Sequence, residues 1–220
     1  EAFNADVAHE LRTPLATLIG ETEVALSRER DAGALQDTLV SNLEEMQRLS
    51  ALVNDMLFLS QADRGATARR GQPVSLAELA RQVCEFHEAT LEDAGLALRI
   101  DGDAQLPVDV PLVKRALSNL VGNATRFAKR GSTIVVAIAP EADGQFQVVV
   151  ENAGDAIAPD HLPRLFDRFF RVDESRCCDE GQHHGLGLAI VAAIARMHAG
   201  RTLAESAAGT TRVGFTLAPA

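Results

Sequence analysis

Two long stretches at the start of the chain carry apolar residues at the spacing of one helical face. A short polar turn near "RERDAG" joins them, so they predict a helical hairpin. The apolar stripe of the first stretch is Phe3, Val7, Leu11, Leu15, Leu18, Thr22 and Ala25, and that of the second, from about Leu35 to Ala62, is Leu35, Leu39, Leu43, Met46, Leu49, Val53, Met56 and Leu57. Because no third element covers these stripes, we expect a second copy to pair with the hairpin in a dimeric four-helix bundle.

The sequence "HELRTPL" interrupts the first helical pattern. His9 lies two residues from both Val7 and Leu11, roughly 200° around the helix from either, so it is predicted to face solvent or a partner. Pro14 has no N–H and clashes with the carbonyl of Glu10, so we expect it to bend the helix just beyond His9 and to free that carbonyl. By itself, this pattern is equally that of a surface histidine near a kink.

Composition sets the limits of the fold. The chain has 220 residues, of which 46% are hydrophobic and 24% charged, which is long enough for one or two domains with their own cores, and two are favoured. Acidic residues outnumber Lys and Arg by 31 to 21, and the net charge of −10 argues against nucleic acid or an anionic membrane surface as a main partner.

The sequence predicts neither a membrane-spanning segment nor a disulfide framework. The longest nearly unbroken apolar run, from Leu186 to Met197, is well short of the roughly 20 residues that cross a bilayer. The chain begins at Glu1 within a helical pattern and without a methionine, which indicates a piece of a longer protein. Its cysteines, Cys84, Cys177 and Cys178, are odd in number and two are adjacent, which favours a reducing cytosol over a disulfide framework.

A second domain is predicted after a linker. We assign residues 1–64 to the hairpin, the polar, glycine-containing segment 65–73 to the linker, and residues 74–220 to the second domain. The second domain begins with a short strand at Val74 and a helix to about Ala94, whose capping box is Ser75 and Glu78. Helices from Pro111 to Lys129 and from Leu186 to His198 then alternate with strands at "LALRI", "TIVVAIA", "QFQVVVE", "RTLAES" and "RVGFTLA". This is an α+β pattern with helices on one face of a largely antiparallel sheet.

Four stretches of this domain are candidates to carry chemistry. Asn119 and Asn123 lie one helical turn apart and so share a face, where they suit a hydrated Mg²⁺, although such pairs are more often plain polar surface. Gly154 follows a strand directly, which suits a close approach of the backbone to a ligand and equally suits any tight turn. "RLFDRFFRVD" is typical of a core-anchoring aromatic segment. "GQHHGLGLAIV" opens an apolar helix with glycines, an arrangement that presents backbone N–H groups to phosphate.

Taken together and in this order, these stretches resemble the sensor histidine kinases of two-component systems over essentially the whole chain. "HELRTPL" resembles their H box, "NLVGNATRF" the N box, "ENAGDAIAP" the G1 loop, "RLFDRFFRVD" the F box and "GLGLAIV" the G2 loop. The resemblance implies a hairpin for dimerization and histidine phosphotransfer (DHp), followed by a Bergerat-type catalytic ATP-binding (CA) sandwich. It also implies that the proline loosens the helix beside the phosphoacceptor.

The resemblance implies a role for each matching residue. His9 attacks the γ-phosphorus of ATP, Glu10 takes or orients the proton on the other ring nitrogen, and Thr13 orients water when the response regulator is dephosphorylated. Asn123, with Asn119, holds Mg²⁺, Arg126 and Arg171 supply positive charge, Phe127 flanks the adenine, and the backbone at Gly185 and Gly187 approaches the phosphates. The implied ATP-binding set is completed by Asn152, Gly154, Ile157, Leu186 and Leu188.

Two loops depart from the family pattern. The G1 box of relatives reads Asp-x-Gly-x-Gly, but here the aligned residues are Asn152, Gly154 and Ala156, so the adenine acceptor keeps an oxygen and loses its charge. This variant, with "HLPRLFDRF" nearby, resembles the heavy-metal (copper or silver) sensor subgroup. In the G2 box His183 replaces a glycine. Metal binding by Cys177, Cys178, His183 and His184 is open, although adjacent cysteines fit a structural zinc site poorly.

Three functions from different classes compete. The favoured one is an ATP-dependent histidine autokinase, a homodimer that transfers its phosphoryl group to a response regulator receiver domain and dephosphorylates that domain. The resemblance makes it the cytoplasmic portion of a bacterial inner-membrane protein, attached only through N-terminal segments outside this sequence. The second is a degenerate, nucleotide-binding scaffold for a response regulator, and the third is a chaperone-like or DNA-repair-like ATPase of the same fold. "HELRTP" argues against the third, and Glu10 with Asn123 against the second.

Overall fold

A computed structural model describes residues 2–172 and 184–219; near the start of the chain it describes the side chains of Val7, Ala8 and the residues from Glu10 onwards. Contacts within the chain divide it into two compact units. One contains the chain up to Phe58 together with His184, and the other contains Leu59 to Val172 and the chain from Gly185 onwards. The predicted combination of a helical hairpin with an α/β sandwich is confirmed.

The first unit is built from two long helices, α1 (Ala2–Leu26) and α2 (Ala32–Asp63), and the last turn of α2 belongs to the second unit. Helix α1 continues through Pro14, which is buried, so the proline does not end the helix. Helix α2 begins after Asp31, whose Oδ1 accepts a hydrogen bond from the backbone N–H of Ala34 at 2.8 Å, as an N-cap does. Much of the predicted apolar stripe is exposed, including Leu15, Leu35, Leu39, Leu43, Met46, Val53 and Leu57.

A five-stranded sheet forms the centre of the second unit. Its strands are β2 (Ala97–Asp101), β4 (Thr133–Pro140), β5 (Phe146–Ala153), β6 (Thr202–Ala207) and β7 (Thr210–Leu217), in the order β2-β4-β5-β7-β6. Only the β2–β4 pair is parallel. A small second sheet pairs β1 (Pro73–Ser75) with β3 (Gln105–Pro107), a strand that the sequence pattern did not predict.

One face of the large sheet is covered, and its side chains form the core. The paired residues Val136 and Val150 are buried on this face, as are Val148 and Phe215. Helices α5 (Val110–Phe127) and α6 (Gly187–Met197) pack on the sheet and against each other. On the opposite face, the guanidinium of Arg212 pairs with Glu151 and Glu205, as expected of a solvated surface.

The predicted helix from Ser75 to about Ala94 is two helices, α3 (Leu76–Phe86) and α4 (Glu88–Asp93), which are separated at His87. The predicted serine cap is present, since Ser75 Oγ accepts from the Glu78 N–H at 3.0 Å. The ring of His87 is held by Ser118 of α5, with 2.9 Å between Nε2 and the hydroxyl oxygen. This contact attaches the residue between α3 and α4 to helix α5.

Candidate functional site

The first part of the candidate site lies where β5 ends. Asn152 is 6% exposed and lies opposite Thr211 in the β5–β7 ladder, on the covered face of the sheet. Its side chain amide makes a long hydrogen bond of 3.4 Å to the carbonyl of Ala153, which leaves most of its hydrogen-bonding capacity for other groups. A buried amide at the end of a strand is suited to reading the edge of a small ligand.

Gly154 is required at this position by the space around it. A Cβ there would lie 2.7 Å from the carbonyl oxygen of Phe127 and 3.0 Å from Nδ2 of Asn152. The backbone N–H of Lys129 donates to the carbonyl of Ala153 at 2.8 Å, which joins the end of α5 to the same turn. The structure therefore brings Asn152, Gly154 and the backbone carbonyl of Phe127 together at one turn.

The second part of the site lies between α5 and α6. Asn119 and Asn123 are both half-buried on α5, and a Cβ at Gly187 would lie 3.2 Å from Oδ1 of Asn119. Two amide oxygens one turn apart are ligands of the type that Mg²⁺ prefers, and the absence of a side chain at Gly187 keeps one of them accessible. The residues present therefore fit a Mg²⁺ site.

The N-terminus of α6 is suited to phosphate. The helix begins at Gly187 without a side-chain hydrogen bond at its cap, so its first N–H groups remain available to an anion. Gly185 precedes it with φ +69°, and a Cβ there would lie 2.8 Å from the carbonyl carbon of Phe169. The N–H of Phe169 donates to the Gly185 carbonyl at 3.0 Å, so the F box and the G2 loop are in direct contact. Leu186 is buried and Leu188 half-buried.

Three further predicted residues lie at the surface of this unit. The guanidinium carbon of Arg126 lies 5.3 Å from the centre of the Phe127 ring, which is itself 49% exposed. Arg171 is exposed. Phe127 is thus an accessible aromatic side chain at the end of α5, with a cation beside it.

In the first unit, the structure describes Glu10 and Thr13 beside the predicted phosphoacceptor. Thr13 is exposed, and Oε2 of Glu10 lies 2.9 Å from Nδ1 of His184. The side chain of His9 lies outside what the structure describes, as do Cys177, Cys178 and His183. Within residues 2–172 and 184–219, no group of three or more His, Cys, Asp or Glu side chains is placed to hold a metal ion.

The sequence pattern missed two residues of this region, Ser206 and Thr211. Their hydroxyl oxygens lie 3.2 Å apart on neighbouring strands, beside Asn152. Neither carries a local signal, because their position depends on the pairing of β5, β6 and β7. Ile157 of the predicted ATP-binding set is joined to them, since its N–H donates to Ser206 Oγ at 2.9 Å.

Two family models match the chain. Residues 1–65 match the "His Kinase A (phospho-acceptor) domain", and residues 108–220 match the model described as "Histidine kinase-, DNA gyrase B-, and HSP90-like ATPase". The second match alone covers half of the chain. In the part of the chain that the structure describes, no helix is both long and apolar enough to cross a membrane.

Individual relatives agree with these matches. The sensor histidine kinase CusS of Escherichia coli K12 is 48% identical over 98% of this chain and 45% of its own length. The probable sensor kinase SilS of Salmonella typhimurium is 40% identical over 96% of this chain and 43% of its own length. The chain therefore spans less than half of these relatives. Among solved structures, the Acinetobacter baumannii histidine kinase AdeS shares the fold, with a TM-score of 0.75, 21% identity and coverage of 96% of this chain and 97% of its own.

Proposed function

The chain belongs to the histidine kinases, and from that membership we propose that it is an ATP-dependent protein-histidine kinase with His9 as phosphoacceptor. It passes the phosphoryl group to an aspartate in the receiver domain of a response regulator. The observation that supports this most directly is the α5 scaffold of the second unit. That helix has the Asn152–Gly154 turn at its end and the asparagine pair Asn119 and Asn123 along its side.

The proposed reaction begins on the imidazole of His9. One ring nitrogen forms a bond to the γ-phosphorus of ATP while the bond from that phosphorus to the β,γ-bridging oxygen breaks, so that ADP leaves with the electron pair. The proton on the other ring nitrogen is taken or oriented by the carboxylate of Glu10, which keeps a lone pair on the attacking nitrogen.

The residues of the second unit bind and orient the nucleotide. Asn152 offers an amide oxygen to the adenine amino group, Phe127 flanks the ring, and Gly154 and Ile157 form the adjoining loop. The N-terminus of α6, with Gly185, Leu186, Gly187 and Leu188, faces the phosphates, while Arg126 and Arg171 supply positive charge. Mg²⁺ held by Asn123 and Asn119 would neutralise phosphate charge.

The exposed apolar residues of α1 and α2 support a homodimer. Leu39, Leu43, Met46 and Leu57 are each more than half exposed, and a second copy of the hairpin would cover them. We further propose the heavy-metal sensor subgroup for this chain, given its identity to CusS and SilS and the asparagine at position 152. In that case the chain is the cytoplasmic portion of a bacterial inner-membrane sensor, and residues 1–64, 65–73 and 74–220 are its DHp hairpin, linker and CA domain.

The exposed hydroxyl of Thr13 supports a second, hydrolytic activity. One turn after His9 on α1, it orients the water that removes phosphate from the response regulator. Thr13→Ala should therefore retain autophosphorylation and lose phosphatase activity, and an equal loss of both activities would contradict this division of roles.

Labelling with γ-³²P-ATP and Mg²⁺ tests the proposed function. We expect label that is lost in acid and stable in alkali, as a phosphohistidine is, and His9→Gln should abolish it while ATP binding remains. Label that persists in His9→Gln would place the phosphoacceptor elsewhere. A wild-type chain that binds ATP but takes up no label would instead support the nucleotide-binding scaffold.

A further inference from the structure

The loop that follows Asn152 is attached to the tip of the β6–β7 hairpin by two hydrogen bonds. The N–H of Gly154 donates to the carbonyl of Gly209 at 3.0 Å, and the N–H of Ile157 donates to Ser206 Oγ at 2.9 Å. The first acceptor is backbone and is present whatever the side chains are. The second is a hydroxyl, so this attachment depends on the residue at position 206.

The geometry of the hairpin holds Ser206 in place. Ala208 and Gly209 form a two-residue turn with φ of +51° and +75°, the left-handed values that close a tight hairpin. Across the ladder, Ser206 is opposite Thr211, and Thr211 is opposite Asn152, so the three side chains form one row on the covered face. The hydroxyl oxygen of Ser206, which accepts from the loop, also lies 3.2 Å from that of Thr211.

We propose that Ser206 is a positioning residue for the nucleotide, which acts by holding the 154–157 loop against the sheet. This inference rests on the proposed function, since it concerns the same ATP site. Ala156 immediately precedes the N–H that Ser206 binds. The hydroxyl thus anchors the loop directly after this residue.

The effect on binding follows from the population of the competent loop. If the loop leaves its place for part of the time, the apparent affinity falls by the fraction of molecules in which it is correctly placed. The loss of one hydrogen bond changes the equilibrium constant between the placed and the displaced loop by roughly 3- to 10-fold, and this factor is the upper limit of the fall in affinity. Once ATP is bound, the loop is in place, so the chemical step at His9 should change little.

The experiment compares three variants of the whole chain. Ser206→Ala removes the acceptor, and Ser206→Thr keeps a hydroxyl on a residue that strands favour. Ser132→Ala is the matched control, because the buried Ser132 hydroxyl oxygen has no hydrogen-bond partner. Binding of the non-hydrolysable analogue AMPPNP with Mg²⁺ is measured by titration calorimetry, and amide hydrogen exchange is followed at Ile157.

We expect Ser206→Ala to bind AMPPNP more weakly, by up to about 10-fold, with faster exchange at Ile157 and autophosphorylation near the wild-type rate at saturating ATP. Ser206→Thr should recover most of the affinity, and Ser132→Ala should match the wild type. If Ser206→Ala fails to fold, Ser206→Cys, whose thiol is a weak acceptor, provides the same comparison.

The outcomes separate this inference from the proposed function. If the wild type binds AMPPNP and the variant that lacks the hydroxyl binds it equally well, the role of Ser206 is wrong and the proposed function is unaffected. If affinity falls but exchange at Ile157 does not change, the loop is not what Ser206 positions, and the inference is again wrong. A wild-type chain that binds no AMPPNP overturns the proposed function and this inference with it.

Discussion

The backbone N–H of Asp109 donates to Nε2 of His198 at 3.1 Å, which joins the start of α5 to the end of α6. Because Nε2 accepts this bond, the proton of the neutral ring is on Nδ1, from which it is donated to the Ile194 carbonyl at 2.9 Å. The ring is fully buried. Both ring nitrogens are therefore satisfied only while His198 is neutral.

The first prediction concerns pH. Burial lowers the pKa of His198 below its usual 6.5, and the nearby positive charge of Arg70 lowers it further, against opposing effects of the Ile194 carbonyl and the Asp109 carboxylate. Burial also lowers the pKa of His87. As pH falls below about 6.5 the unfolded chain takes up these protons before the folded chain does, so the free energy of unfolding should fall.

Urea unfolding between pH 5 and 8 measures this slope. We expect His87→Gln and His198→Gln each to reduce the decline in stability below about pH 6.5, and the double variant to reduce it most. If the double variant declines as steeply as the wild type, other groups are responsible.

The second prediction concerns Arg70. Its guanidinium donates to the carbonyl oxygens of Ala218 and His198 at 2.7 and 2.8 Å, at the ends of β7 and α6. We expect Arg70→Ala to lower the free energy of unfolding of the second unit by about 1–3 kcal/mol, and Arg70→Lys to recover only part because an ammonium lacks the planar fork.

Arg69→Ala is the matched control for Arg70. The side chain of Arg69 is exposed, and its contact with Asp109 is made by the backbone N–H at 3.1 Å, which alanine retains. Urea unfolding should show little change for this variant. Equal losses at positions 69 and 70 would mean that the two carbonyl contacts do not stabilise the unit.

The segment around Arg70 also shows what local sequence patterns miss. Residues 65–73 are polar and contain glycine, so local propensity predicts a flexible linker. In the structure the N–H of Ala68 donates to the Met197 carbonyl and that of Gly71 to the Val108 carbonyl, so part of the segment is attached to the second unit. The acceptors are about 130 and 40 residues away along the chain, respectively, and no local pattern encodes such pairings.

Local patterns succeeded where one element determines the outcome. The helix around Asn119 and Asn123 was predicted because burial on one face sets its periodicity. The strand at "QFQVVVE" was predicted from its run of β-branched valines, of which Val148, Val149 and Val150 are all buried. The three-residue strand β3 was missed, since it is defined by its pairing with β1. Of the candidate site, the motif residues were predictable from the family resemblance, whereas Ser206 and Thr211 depend on strand register.

The third prediction concerns the acceptor at Asn152. Asn152→Ala should weaken AMPPNP binding by about 1–3 kcal/mol, roughly one to two decades, because the adenine amino group loses its partner in a partly closed pocket. Asn152→Asp should keep or improve affinity, since a charged acceptor makes the stronger hydrogen bond. Adenine should remain preferred over guanine, whose carbonyl offers no donor.

Glu151→Gln is the control for Asn152, because Glu151 is the neighbouring residue on the opposite face of β5 and pairs with Arg212. Its affinity for AMPPNP should match that of the wild type in calorimetric titration. Equal affinity for the wild type and Asn152→Ala would show that the adenine is read elsewhere.

The last prediction separates stability from metal binding at Gly187. In Gly187→Ala the new Cβ would lie 3.2 Å from Oδ1 of Asn119, so the amide must move by a few tenths of an ångström. We expect a higher Mg²⁺ requirement for AMPPNP binding with little loss of stability.

Gly122→Ala is the control, since its Cβ would lie 3.9 Å from the ring of His87, an ordinary contact. Alanine within α5 should raise the free energy of unfolding by about 0.5–1 kcal/mol and leave the Mg²⁺ dependence unchanged. Calorimetric titration over a range of Mg²⁺ concentrations measures the difference, and an unchanged Mg²⁺ dependence in Gly187→Ala would remove Asn119 from the metal site.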